Sequence, residues 1–179
     1  APSAGIARNE QVSFEDELLI LVDEDDQEVG FLDKNSCHNG AGKLHRAFSL
    51  FVFNDAGEVL LQQRSAEKRL WTMYWSNSCC SHPRKGETMA VATSRRLQQE
   101  LGLTAELSFL YKFEYTANFQ NLGSEHELCW VYCGQAQGQL SANEQEVNDY
   151  RWISVADFDA ELAATPDAFT PWCAMEWQR

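Results

Sequence analysis

Residues 71–103, WTMYWSNSCCSHPRKGETMAVATSRRLQQELGL, gather the densest set of chemically capable side chains in the chain. The segment opens on Trp71, Tyr74 and Trp75, then passes through Asn77-Ser78-Cys79-Cys80-Ser81-His82-Pro83. It next takes on a helical period: Ala90, Val91, Ser94, Leu97 and Leu101 recur on one face, and Gly102 supplies a stop. Glu87 falls where a first-turn carboxylate suits the helix dipole. The spacing predicts a helix over 87–101 with one buried stripe, on which Arg96 and Glu100 are neighbours.

Outward from that helix the chain reads mostly as strands. Leu18–Val22 is an aliphatic run closed by the acidic turn Asp23–Asp26, and 28–32 looks like its hairpin partner. Residues 34–43 are polar and glycine-containing and read as a loop carrying Lys34 and His38, with His45 just beyond. Strands over 47–53 and 59–64 flank the turn Asn54-Asp55-Ala56-Gly57. Alternation over 109–116 and 125–133 predicts two more strands around a polar turn at 117–124, and 148–153 adds another. Short helices are expected over 155–162 and from Pro171 onward. Strands outnumber helices without regular βα alternation, so the fold class is α+β with a mixed sheet.

A chain of 179 residues with ten Phe, six Trp and five Tyr can bury one sizeable core. Residues 1–10 are set aside as a flexible N-terminal segment, leaving 11–179 as one domain. A net charge of -13 excludes, on average, a nucleic-acid or anionic membrane partner, so an anionic ligand must be caught by a local basic cluster. The longest aliphatic run is far too short for a membrane span, and a soluble, cytoplasmic monomer is expected. The six cysteines are irregularly spaced and form no CxxC pair, which speaks for reduced thiols rather than a disulfide framework or a zinc finger.

Glu125 and Glu127, two apart in a strand, project from one face, with His126 on the other. Alone they read as a solvated face; together they want a cation. His38, His45 and His82 sit at loops or loop–strand junctions, and three imidazoles with two carboxylates suit a divalent metal such as Zn, Mn or Mg. Cys80, placed just ahead of a helix N-terminus and two residues from His82, is expected to have thiolate character. Its neighbour Cys79 must face the other way if the segment is extended. Lys34, Arg64, Lys68 and Arg96 come from separate segments of an acidic chain; singly each is surface, and converging with Glu100 they would bind a diphosphate through Mg2+. Trp172 is a core or lid aromatic.

Ser81-x5-Glu87-x7-Arg95-Arg96-Leu97-x-Gln99-Glu100-x-Gly102-Leu103 resembles the Nudix box. Ser81, Arg96 and Gln99 stand where that box has a glycine and two glutamates, so the carboxylates that gather a hydrolase's Mg2+ ions reduce to Glu100. The chain is more similar to the type I isopentenyl-diphosphate isomerases, a Nudix-fold family. The resemblance runs through Leu32-Asp33-Lys34, His38, His45-Arg46-Ala47-Phe48, Arg64-x3-Lys68, Trp71-x3-Trp75, Cys80-x-His82-Pro83, Glu125-x-Glu127 and Thr170-Pro171-Trp172. It implies a Nudix-like mixed sheet flanked by helices and a small-molecule diphosphate substrate. It also implies His38, His45, His82, Glu125 and Glu127 as metal ligands, and Cys80 and Glu127 as the proton-transfer pair with Tyr115 as partner of Glu127. Lys34, Arg64, Lys68 and Arg96 would hold the diphosphate, Mg2+ would bridge it to Glu100, and Trp172 would cover the hydrocarbon. The alternatives are a Nudix pyrophosphohydrolase and a non-catalytic metal-binding module.

Overall fold

Strand β3 (His45–Phe53) is the axis of the sheet. On one flank it pairs in parallel with β8 (Gly123–Gln137), and on the other it meets the three-residue β6 (Cys79–Ser81) in antiparallel register. Its burial is continuous rather than alternating, as it must be for a strand covered on both faces. Ala47 and Phe51 enter one core with Val131, Phe158 and Trp172; Phe48, Leu50 and Val52 enter the other with Leu97 and Leu101. The computed structural model describes residues 11–178 apart from 13 and 41, so the expected flexible segment 1–10 lies outside the described residues.

The other strands extend this axis. β1 (Leu18–Val22) and β2 (Glu28–Asp33) form one edge, and β4 (Val59–Arg64) follows β3 through the Asn54–Gly57 turn. β5 (Trp75–Ser76) and β9 (Val147–Ile153) both pair β4, while β7 (Thr104–Phe119) lines β8 along its length. Among the described residues these form one nine-stranded mixed sheet. The long hairpin turns at residues 120–122, tighter than the expected 117–124 turn, because ladder pairing continues from Asn118 and Phe119 to Ser124 and Gly123.

α1 (Lys34–Cys37) is a single helical turn where a loop was expected; Asp33 caps it by accepting from Ser36 N at 2.9 Å. α2 (Met89–Leu101) starts later than 87, since Thr88 is the N-cap and accepts from Val91 N. Glu87 therefore lies outside the first turn, where its carboxylate takes Arg95 Nε at 2.8 Å and the Arg84 amide at 2.7 Å. The buried stripe is also rotated from the expected one: Ala92, Thr93, Arg96, Leu97, Glu100 and Leu101 face inward, while Val91 is 56% exposed. Arg96 and Glu100 go inside as an ion pair, and that carries the helix phase away from the one the apolar residues suggest. Gly102 closes the helix at φ 66, with Ser141 so near that an added Cβ would lie 3.0 Å from its side chain.

α3 (Val155–Ala164) and α4 (Pro171–Trp177) supply Phe158, Leu162, Trp172 and Cys173 to the core that also holds Phe51 and Val131, on the face away from α2. The short strands β5 and β6 carry no strand signal in the sequence. Two or three residues carry no readable period, and docking against β4 and β3 makes them strands.

Candidate active site

The site forms on the β3 face that carries His45, Ala47 and Ser49. Parallel pairing sets His45 opposite Glu127, and antiparallel pairing sets Ser49 opposite Cys80. Cys80 and Glu127 therefore reach the same cavity, of about 400 Å³, from opposite flanks of one strand. Cys79, one residue earlier, turns to the α2 side and packs with Phe48 and Leu97, as alternation requires.

Glu125 and Glu127 share a buried face of β8, whereas His126 points outward to Glu114 Oε2 at 2.9 Å. His82, just past β6, places Nε2 2.8 Å from Glu127 Oε2. His38, just past α1, is held by its backbone: its carbonyl accepts from Ser124 N at 2.9 Å. Glycine is required at 123, where φ is 152 and a Cβ would meet that carbonyl at 2.6 Å. Arg69 fastens the same loop to the hairpin turn, donating to Asn35, Asn39 Oδ1 and the Leu122 carbonyl.

One candidate ligand atom from each of His38, His45, His82, Glu125 and Glu127 lies within 4.8 Å of all the others. His38 Nε2 and Glu125 Oε2 stand 3.0 Å apart, both buried and without hydrogen-bond geometry, as two lone pairs do when a shared cation belongs between them. The His45 Nδ1 lies 2.7 Å from the Lys43 carbonyl, which fixes a tautomer with Nε2 free to ligate. Burial, reinforced by the neighbouring His45 charge, holds His82 well below the ordinary histidine range. His45 moves the other way: burial lowers it, but its hydrogen bond to and attraction by Glu127 outweigh that. The donor set fits a divalent metal ion.

Burial pushes the Cys80 thiol up to about 12 against the opposing charge of Arg64. The expected thiolate character is thus overturned, for the residue lies in a strand and α2 begins at Met89, too far along the chain for its dipole to act. Burial also raises Glu127, yet the hydrogen bond from His45 and its charge prevail and the carboxyl is lowered overall. Tyr115, the register partner of Glu127, donates its hydroxyl to Glu127 Oε1.

At the other end of the cavity Lys34, Arg64 and Lys68 line the wall as expected. Arg96 and Glu100 do not. Both are almost fully buried behind that wall, where Glu100 takes Arg96 Nε at 3.0 Å and Gln62 Nε2 at 3.1 Å. Among the acidic residues that line the cavity is Glu146, whose carboxylate is paired with Lys68. No motif singled it out, because it is brought in from the start of β9 by tertiary packing. Arg69 and Leu70 also line the cavity, and adjacency to Lys68 was the available signal for Arg69.

Trp172 lines the cavity with Tyr115, its ring 5.1 Å from Trp71 edge-on and under the Arg64 guanidinium at 5.2 Å. Trp71, Tyr74, Trp75 and Phe48 do not reach the cavity. Trp71 backs Trp172, Tyr74 meets Phe119, Trp75 stacks on Arg151, and Phe48 belongs to the opposite core.

Comparison with known proteins agrees with this geometry. The NUDIX domain family matches residues 43–173. Isopentenyl-diphosphate Delta-isomerase 1 of Photorhabdus laumondii is 41% identical over 163 residues, 90% of this chain and 93% of that protein. The isopentenyl-diphosphate Delta-isomerase of Burkholderia multivorans is 42% identical over 163 residues, 90% and 92% of the two chains. Among solved structures, DR0079 from Deinococcus radiodurans superposes with a TM-score of 0.67 at 21% identity, covering 83% of this chain and 90% of that one. A MutT NUDIX hydrolase from Burkholderia pseudomallei gives 0.61 at 17% identity over 76% and 97%. These two speak for the fold alone. The chain belongs to the isopentenyl-diphosphate Delta-isomerase family of the Nudix fold.

Proposed function

We propose that this protein interconverts isopentenyl and dimethylallyl diphosphate, moving one proton onto the carbon skeleton and another off it through a tertiary-carbocation-like state. The observation that carries this reading is the placement of Cys80 and Glu127 in one cavity from opposite flanks of β3. A double-bond shift needs one acid and one base in place together, and a thiol and a carboxylate in one cavity supply one proton donor and one proton acceptor, so that a proton added to one carbon is balanced by a different proton removed from another. Acid–base help of this kind is worth roughly 10²- to 10⁴-fold and is not sufficient alone.

The remainder comes from holding the cation and excluding water, which would otherwise trap it as an alcohol. Trp172 presents an aromatic face worth about 1–2 kcal/mol to a desolvated cation. Tyr115 holds the Glu127 carboxylate in orientation by its hydroxyl. Lys34, Arg64 and Lys68 grip the diphosphate, and the contact of Arg64 with Trp172 ties the phosphate end to the hydrocarbon end. His38, His45, His82, Glu125 and Glu127 hold a divalent ion, zinc, manganese or magnesium, which when bound fixes the Glu127 carboxylate and tunes its acidity.

The continuous sheet supports reading 11–179 as one domain, and the six free cysteines support a reducing, cytoplasmic setting. Among the described residues no helix is long and apolar enough to cross a membrane. Incubation with isopentenyl diphosphate, following dimethylallyl diphosphate and released phosphate together, tests the function. The isomer without phosphate is the expected result, while phosphate without the isomer would establish a pyrophosphohydrolase instead.

A further inference from the structure

Trp71 takes no part in the proposed chemistry, yet the backbone that carries it is strained. Its φ is 49 and that of Met73 is 64, left-handed values that bulky side chains rarely adopt. The turn between β4 and β5 holds them there. Arg64 N donates to the Tyr74 carbonyl at 2.8 Å, Met73 N to the Arg64 carbonyl at 2.9 Å and Tyr74 N to the Trp71 carbonyl at 3.3 Å. The Leu70 carbonyl accepts from the Arg64 guanidinium at 2.9 and 3.1 Å, and Thr72 Oγ1 donates to the Lys68 carbonyl at 2.7 Å. Glycine would accept that backbone without strain, so the turn by itself does not call for an indole. What position 71 adds is the ring.

That ring is buried, 3% exposed, and stands between two others: 5.2 Å from Phe119, and 5.1 Å from Trp172 at an angle of 84°. Trp172 needs such a neighbour. Its Nε1 is buried with no hydrogen-bond partner among the described residues, so no polar contact sets how its ring is turned. Orientation is left to packing: Trp71 stands perpendicular, Tyr115 lies 6.3 Å away and tilted by 32°, and the Arg64 guanidinium is 5.2 Å from the ring. An aromatic side chain attracts a cation through its ring face. A Trp172 ring free to swing would present that face only part of the time.

We propose that Trp71 is a positioning residue for the reaction, held in its left-handed turn so that its ring locks Trp172 in the orientation that faces the carbocation-like state. The inference rests on the isomerase reading, in which Trp172 covers the hydrocarbon. Trp71 acts through Trp172 and touches no reacting atom. Its contribution therefore appears when positive charge develops on the substrate and is small while the alkene is neutral.

The test is calorimetric titration of zinc-loaded protein with two esters of one shape: dimethylaminoethyl diphosphate, protonated at nitrogen, and isopentyl diphosphate, with carbon in that place. The wild type should bind the cationic ester more tightly. Trp71→Leu should shrink that preference by roughly tenfold. It should lower kcat by a similar factor with KM for isopentenyl diphosphate little changed. In a Trp172→Leu background the same change should shrink the preference no further, as expected of two residues acting on one interaction. Phe119→Leu, which removes the other support of Trp71, should shrink it as well and answers the question if Trp71→Leu does not fold. A preference unchanged in Trp71→Leu, or both esters weakened equally as a merely structural role predicts, overturns the proposal. So does a further loss in the Trp172→Leu background or an unchanged preference in Phe119→Leu. A wild type that binds both esters equally removes Trp172 as the wall that faces the cation, and this inference with it. One that binds neither ester removes the diphosphate reading itself.

Discussion

His45 on β3 and Glu127 on β8 are register partners in a parallel strand pair, and His45 Nε2 stands 3.2 Å from Glu127 Oε2. A strand pairing thus sets the geometry of the metal centre, with the His45 tautomer fixed by the Lys43 carbonyl behind it. Glu127→Gln should weaken zinc binding by more than about tenfold and abolish isomerisation. Competition with a chromogenic chelator measures the first. Zinc affinity equal to the wild type would remove Glu127 from the ligand set.

Cys80→Ala should lower turnover of isopentenyl diphosphate by at least about 10²-fold, because the proposed mechanism makes the thiol one of its two proton-transfer groups. Zinc uptake should match that of the wild type, since the sulfur is not among the clustered ligand atoms. Metal analysis beside a rate assay separates the two, and a variant of normal rate would take Cys80 out of the mechanism.

Leu97 is 1% exposed and joins α2 to Phe48 and Leu50 on the side of the sheet away from the cavity. Leu97→Ala should cost about 2–5 kcal/mol in urea unfolding of the apo protein. The folded fraction should keep zinc affinity and turnover. A concomitant loss of zinc would mean that the two faces of the sheet are coupled.

Glu176, on α4, is 3% exposed, and its Oε2 accepts from the Cys129 thiol at 3.4 Å. Burial raises its carboxyl from 4.5 to about 8, with Glu127 adding repulsion and Ser49 and Cys129 opposing. The folded state therefore holds a proton that the unfolded state releases. The resulting stability is complete below about pH 4.5 and is lost as pH climbs to about 8. At roughly 1.4 kcal/mol per pKa unit the loss is on the order of 5 kcal/mol. Glu176→Gln should remove this slope and melt higher than the wild type at pH 9; parallel melting profiles from pH 5 to 9 would expose the opposite result.

Much of the site was readable because its chemistry is carried by residue types at short spacing. Glu125 and Glu127 share a strand face by alternation alone, and Cys79 and Cys80 part company for the same reason. Other features resisted reading. The buried pair Arg96 and Glu100 disguised the phase of α2, since each charge is admissible inside only because the other is there. β6 is three residues long, and pairing with β3 rather than any local pattern makes it a strand.

By itself the sequence determined the α+β class and the order of the principal strands, and it singled out the His/Glu set, Cys80 and the basic residues Lys34, Arg64 and Lys68 that the fold brings to one cavity. These follow from local rules of alternation, helical period and donor chemistry that act within a few residues. Tertiary structure alone decided that burial raises the Cys80 thiol, that Arg96 and Glu100 stand behind the cavity wall, and that Glu146 lines it. Protonation and access depend on which distant groups surround a side chain and how much water they displace, and that is set only when β3 gathers its neighbours.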